Sequence, residues 1–181
     1  MKTKKKKIIF VCTGNTCRSP MAEILLKNEL GLRGWKGVDV ISAGISARTG
    51  DTINPKSAQV LQEKGLTVGE FKSRKLTERM LRDSYAVICM TESQREYLLD
   101  ARWHALRKTG EENIENNVYS FSEIAGYEVI DPFGKDIDCY RYVFRLLSGG
   151  MAALLEKLRI SEIVQIPKKR GRPSKKKTEK V

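Results

Sequence analysis

Thirteen residues from Val11 to Glu23, Val-Cys-Thr-Gly-Asn-Thr-Cys-Arg-Ser-Pro-Met-Ala-Glu, constrain this chain more than any other part of it. They overlap the end of Ile8-Ile9-Phe10-Val11, an apolar run rich in β-branched residues that reads as a buried strand. They continue into Ser19-Pro20, which read as an N-cap and a first helical residue. A tight loop thus joins a strand to a helix N-terminus, and Gly14 and Asn15 supply the backbone freedom it needs. Such a loop turns backbone N–H groups and the positive end of a helix dipole toward an anion. Cys12 and Arg18 frame it in a C-x5-R-S arrangement. The field there favours a thiolate on Cys12, and the planar fork of Arg18 matches two phosphate oxygens. Thr13, Gly14, Asn15, Thr16, Cys17 and Ser19 complete the expected phosphate cradle.

The rest of the chain alternates strand and helix signals. Ala22 to Leu30 read as a helix with Leu25, Leu26 and Leu30 inward, and Val38 to Ala43 as a second strand stopped by Gly44. Asn54-Pro55 open a second helix that ends before Gly65. Tyr85 to Met90 form a third strand, and Thr91-Glu92-Ser93-Gln94 fit a capping box at the start of the next helix. Val118-Tyr119 are a weak fourth strand. From Asp138 onward, Tyr140, Phe144, Leu147, Met151, Leu154 and Leu158 recur at spacings of three and four, which predicts a long amphipathic helix across Gly149-Gly150. This order implies an α/β three-layer fold, a central four-stranded parallel sheet flanked by helices, with the phosphate-binding loop after the first strand. Ligands of such sheets bind outside the carboxyl ends of the strands, where this loop lies.

With 181 residues, one domain large enough to bury a core is expected. No apolar run has the length of a transmembrane helix. Lys4 to Lys7 resemble the charged start of a signal peptide, but the apolar run behind them ends too soon, so the expected location is the cytoplasm, away from membranes. The four cysteines, Cys12, Cys17, Cys89 and Cys139, argue for thiol chemistry rather than a disulfide scaffold. The only histidine, His104, lies in a charged helical stretch without partner spacing, and no metal or other cofactor is suggested. The formal net charge of +12 resides entirely at the ends. Residues 1–7 hold five lysines, and residues 167–181 hold eight basic side chains against Glu179, leaving residues 8–166 formally neutral. The organisation read from this is a basic extension over residues 1–7, a catalytic domain over 8–160, and a basic tail over 161–181.

The string from Val11 to Glu23, taken with Asp131-Pro132 late in the chain, resembles the low-molecular-weight phosphotyrosine protein phosphatases, and within them the bacterial protein arginine phosphatases. The resemblance covers Ile8 to Lys157. It implies that Cys12 is a nucleophile that forms a cysteinyl-phosphate on phosphorylated protein substrates. It further implies that Arg18 binds the phosphoryl group, Asp131 is the general acid, and Ser19 hydrogen-bonds the thiolate. Thr16 stands where tyrosine-directed relatives mostly carry an aliphatic residue, and a hydroxyl there can bond a guanidinium N–H. Phe133-Gly134 replace the paired tyrosines common in those relatives, and residues 45–49 hold no aromatic ring to stack on a phenyl group. Phosphoarginine is the expected substrate, with phosphotyrosine the alternative. Cys17, five residues after Cys12, is a candidate redox partner that could trap an oxidised Cys12 as a disulfide. Thiol-coupled arsenate reductases share the loop, but they relay a disulfide through two further cysteines close together, and Cys89 and Cys139 are far apart in sequence.

The tail poses a separate question. Residues 167–181 are nearly devoid of apolar side chains and are expected to be disordered. Arg170-Gly171-Arg172-Pro173 resemble an AT-hook core, which implies contact with A·T-rich DNA in its minor groove, with flanking lysines on phosphates. A DNA-tethered module with secondary catalysis is the non-enzymatic alternative.

Overall fold

A computed structural model describes residues 5–110 and 116–164. Its centre is a four-stranded parallel sheet of β1 (Lys6–Cys12), β2 (Val38–Gly44), β3 (Ala86–Cys89) and β4 (Val118–Ser120), in the order β2-β1-β3-β4. Helices α1 (Arg18–Leu32), α2 (Pro55–Glu63), α3 (Glu78–Asp83), α4 (Glu92–Arg107), α5 (Phe121–Ala125), α6 (Ile137–Lys157) and α7 (Ile160–Ile163) surround it. The expected α/β three-layer architecture is therefore present. Lys6 and Lys7, read from the sequence as extension, are the first residues of β1.

The pleat of β1 builds the layers. Ile8, Phe10 and Cys12 point into one core with Leu26 of α1 and Tyr140, Leu147 and Leu154 of α6. Ile9 and Val11 point into the other with Leu81 of α3 and Leu98 of α4. Ile8 to Val11 are fully buried. Each such side chain contributes about 1.5–3 kcal/mol relative to exposure, so β1 anchors both layers. Because β2 pairs on one side of β1 and β3 on the other, chain direction diverges at the carboxyl end of β1, which opens a crevice there.

The helix caps match the expected ones in part. Asn54 caps α2 through Lys56 N at 2.9 Å, with Pro55 as first residue. α1, however, starts at Arg18 with Cys17 as its N-cap and no side-chain cap bond. Ser19 is not the cap, because its hydroxyl is held by Cys12 and Asn15 instead. At α4, Thr91 accepts from Gln94 N at 3.3 Å, but the Gln94 carboxamide accepts from Met90 N rather than closing a box on Thr91. The reciprocal box lies at α5, where Ser120 and Glu123 cap each other. Gly149-Gly150 sit within α6 because the α5 ring of Phe121 packs directly on Gly150, leaving no room for a Cβ.

Candidate active site

The loop from Thr13 to Cys17 turns its carbonyls outward. Ile45 N donates to Cys12 O at 3.0 Å, Ser46 N to Thr13 O at 2.9 Å and Asn54 N to Thr16 O at 2.8 Å. Among the described residues, no amide from Thr13 to Cys17 donates a bond within the protein. A row of unused N–H groups at the start of a 15-residue helix has the arrangement that can cradle an anion.

Asn15 fixes the shape. It is fully buried with φ 54, a left-handed conformation that asparagine tolerates better than most residues. Its Nδ2 donates to Ser19 Oγ at 3.0 Å and Ser42 Oγ at 2.9 Å, while its Oδ1 accepts from Arg74 N at 2.8 Å. Ser42 in turn donates to the buried Glu23 at 2.6 Å, and Lys27 pairs with the same carboxylate at 2.5 Å. Gly44 lets the loop approach β2, since a Cβ there would lie 2.7 Å from Thr13 O. Gln94 reaches Thr13 Oγ1 at 3.3 Å. Nothing in the sequence assigned Ser42, Glu23, Arg74, Gly44 or Gln94 to the site. The one legible trace was the small-residue run Ser42-Ala43-Gly44 ending an otherwise branched strand.

Cys12 Sγ lies 3.0 Å from Ser19 Oγ. The Arg18 guanidinium, 4% exposed, donates to Asp131 Oδ2 at 2.6 Å and Val129 O at 3.2 Å, and its buried Nε has no partner. Cys12, Thr13, Gly14, Thr16, Cys17, Arg18, Asp131 and Phe133 line one cavity of about 240 Å³. Cys12, Arg18 and Asp131, spaced across the sequence, are thus brought to one place. Cys17 is a buried thiol whose pKa burial pushes up, against weak bonds from Tyr140 at 3.6 Å and Thr16 at 3.7 Å. Cys89 belongs to the opposite core layer, with its pKa raised by burial. It is therefore separated by the sheet from Cys12 and Cys17. His104 is exposed against Trp103. No cluster of His, Cys, Asp or Glu among the described residues could hold a metal, and no helix among them is long and apolar enough to cross a membrane. The AT-hook-like segment lies outside the described residues.

The family model for low molecular weight phosphotyrosine protein phosphatase matches residues 7–163. A probable low molecular weight protein-tyrosine-phosphatase EpsP of Ralstonia nicotianae is 30% identical over 154 residues, which is 85% of this chain and 97% of that protein. The protein-arginine-phosphatase of Bacillus subtilis is 36% identical over 137 residues, 74% of this chain and 84% of its own length. The solved YwlE arginine phosphatase from Geobacillus stearothermophilus superposes with a TM-score of 0.72 at 31% identity, covering 87% of this chain and 95% of that one. This chain belongs to the low molecular weight phosphotyrosine protein phosphatase family and is a protein phosphatase of the cysteine type.

Proposed function

We propose that this phosphatase hydrolyses phosphoarginine in proteins. The Thr16 hydroxyl carries the reading: it lines the cavity beside the cradle, where a guanidinium N–H next to the phosphoryl group would lie. Relatives named protein-arginine-phosphatase support it. In the proposed first step, Cys12 attacks phosphorus as the thiolate, held by Ser19. Arg18 and the free loop amides hold the equatorial oxygens. The phosphorus–nitrogen bond breaks as Asp131 gives its proton to the departing guanidine. Water then attacks the cysteinyl-phosphate, Asp131 takes its proton back, and inorganic phosphate and the Cys12 thiolate are released. The incoming phosphoryl group competes with Asp131 for Arg18, which frees the carboxyl to face the leaving atom. Cys17 is proposed as the thiol that would trap an oxidised Cys12, and contact of residues 170–173 with A·T-rich DNA is a separate proposal.

One observation favours phosphotyrosine instead. Phe133, 71% exposed at the cavity rim, offers a face for a phenyl ring. The ratio of kcat/KM for phosphoarginine and phosphotyrosine peptides separates the two readings. Phosphoarginine is expected to be preferred by at least tenfold, with Thr16→Ile lowering that preference by about tenfold, the worth of one hydrogen bond to a charged group. An unchanged ratio in Thr16→Ile overturns the role of Thr16.

A further inference from the structure

The first turn of α2 touches both halves of the active site. Asn54 N donates to Thr16 O of the phosphate loop at 2.8 Å, and Asn54 Oδ1 accepts from Lys56 N at 2.9 Å. The backbone of Lys56 is thereby fixed to the loop. Its half-buried side chain runs the other way, and Lys56 Nζ donates to Lys135 O on the far side of the site. Among the described residues this carbonyl is the one hydrogen-bond acceptor of the ammonium. The ammonium also lies 5.8 Å from the centre of the Tyr140 ring, which is itself buried and cannot swing away, so the ring face holds the charge in place.

Lys135 ends a tight turn that starts next to Asp131. Lys135 N donates to Pro132 O at 2.9 Å, and Gly134 takes φ 76, the left-handed conformation that the third position of such a turn requires. Pro132 fixes its own φ and restricts Asp131 before it, and Phe133 N donates to Asp131 Oδ1 at 3.1 Å. Asp131 and Lys135 therefore move as one piece. Two hydrogen bonds among the described residues tie residues 131–135 to the phosphate-loop side: Arg18 to Asp131 Oδ2, and Lys56 to Lys135 O. The first breaks when the phosphoryl group takes Arg18, and the second is untouched by that exchange. We propose that Lys56 is a positioning residue for Asp131, a brace that holds the turn against the loop once Arg18 has let go and so keeps the carboxyl at the leaving atom. This role rests on Asp131 being the general acid, and it is the same whether the leaving atom is nitrogen or oxygen.

Aryl phosphates with different leaving groups test it on the full chain. Phenol needs a proton from Asp131 as the phosphorus–oxygen bond breaks, whereas 2,4-dinitrophenol departs as the anion. Lys56→Met keeps the apolar stem over Tyr140 and deletes the charge. It is expected to lower kcat/KM for phenyl phosphate about tenfold and that for 2,4-dinitrophenyl phosphate less than about twofold. Inhibition by inorganic phosphate should be unchanged, because the loop and Arg18 are intact. Lys56→Gln, with a polar side chain at the same place, should show the same split, and Lys56→Arg, which can donate to the same carbonyl, should recover most of the loss. Asp131→Asn serves as the reference and should show the same dependence on leaving group with a larger amplitude. Equal losses on both esters in the Lys56 variants, no loss on either, or weaker inhibition by phosphate would overturn the role of Lys56 while Asp131→Asn remains selective. Equal losses on both esters in Asp131→Asn would overturn the general acid itself, and the brace with it.

Discussion

At Gly44 the backbone of β2 comes so near the loop that an added Cβ would lie 2.7 Å from Thr13 O, 2.8 Å from Ala47 Cβ and 2.9 Å from Asn15 N. Two of these neighbours are backbone atoms, which cannot swing away as a side chain would. Gly44→Ala must therefore shift the cradle itself. We expect it to cost about 1–3 kcal/mol of stability and to lower kcat/KM by at least tenfold, since displacement of about 1 Å at a reacting centre has costs of that order or larger. Urea denaturation and steady-state kinetics measure the two effects, and an alanine variant with wild-type kcat/KM would refute the close-approach argument. Cys12, Arg18, Asn15 and Ser19 were visible in the sequence because they are contiguous and chemically distinctive. Gly44, Ser42 and Arg74 were not, because only the pairing of β1 with β2 brings Gly44 and Ser42 under the loop, and only the backbone bond from Gly44 N to Arg74 O brings Arg74 there.

The elements were legible wherever a period had length to establish itself. α1, α2, α4 and α6 run from 9 to 21 residues and carried recognisable spacing or caps. α3, α5 and α7 have 6, 5 and 4 residues, too few for a helical period to stand out. At α5 the capping box Ser120-x-x-Glu123 is the readable signal, and the similar string at Thr91 resembles it without closing. The glycine pair in α6 has a packing cause. A Cβ on Gly150 would press into the Phe121 ring and lie 3.2 Å from Ala125 Cβ, so α5 and α6 touch backbone to side chain. Helix propensity alone would make Gly150→Ala stabilising by up to about 1 kcal/mol. Overpacking costs about 1–3 kcal/mol and wins here because Phe121 is fully buried and cannot turn outward. Gly150→Ala should therefore lower the urea midpoint, and Gly149→Ala should cost less, its nearest neighbour being the Tyr127 hydroxyl at 3.3 Å. A raised midpoint for Gly150→Ala would overturn this account of the contact. The ion pair of Arg141 with Glu63 also joins α6 to α2 and holds the Glu63 pKa at about 2, yet exposed pairs of this kind contribute little.

Across the whole molecule the titrating groups favour one direction at alkaline pH. The Cys17 and Cys89 thiols lie above their ordinary value of 9.0, and the Tyr85, Tyr127 and Tyr140 phenols above 10.0, with burial the first cause in every case. In the unfolded chain these groups release their protons near the ordinary values, while the fold retains them. The folded state then binds more protons than the unfolded one, so stability falls as pH rises. The contribution is complete below about pH 9 and is lost above it, by up to about 1.4 kcal/mol per pH unit for each proton fully retained. Cys89 should lead from pH 9 upward, because it is fully buried in the second core layer and its ordinary value lies below those of the phenols, of which Tyr85 and Tyr127 are only half-buried and the fully buried Tyr140 enters above pH 10. The urea midpoint is therefore expected to be level between about pH 7 and pH 8 and to fall steeply above about pH 9. Cys89→Ala should start from a lower midpoint, because it leaves a small cavity, and then fall less steeply with pH than the wild type. Parallel curves for the two proteins would assign the alkaline loss to other groups and remove Cys89 from the account.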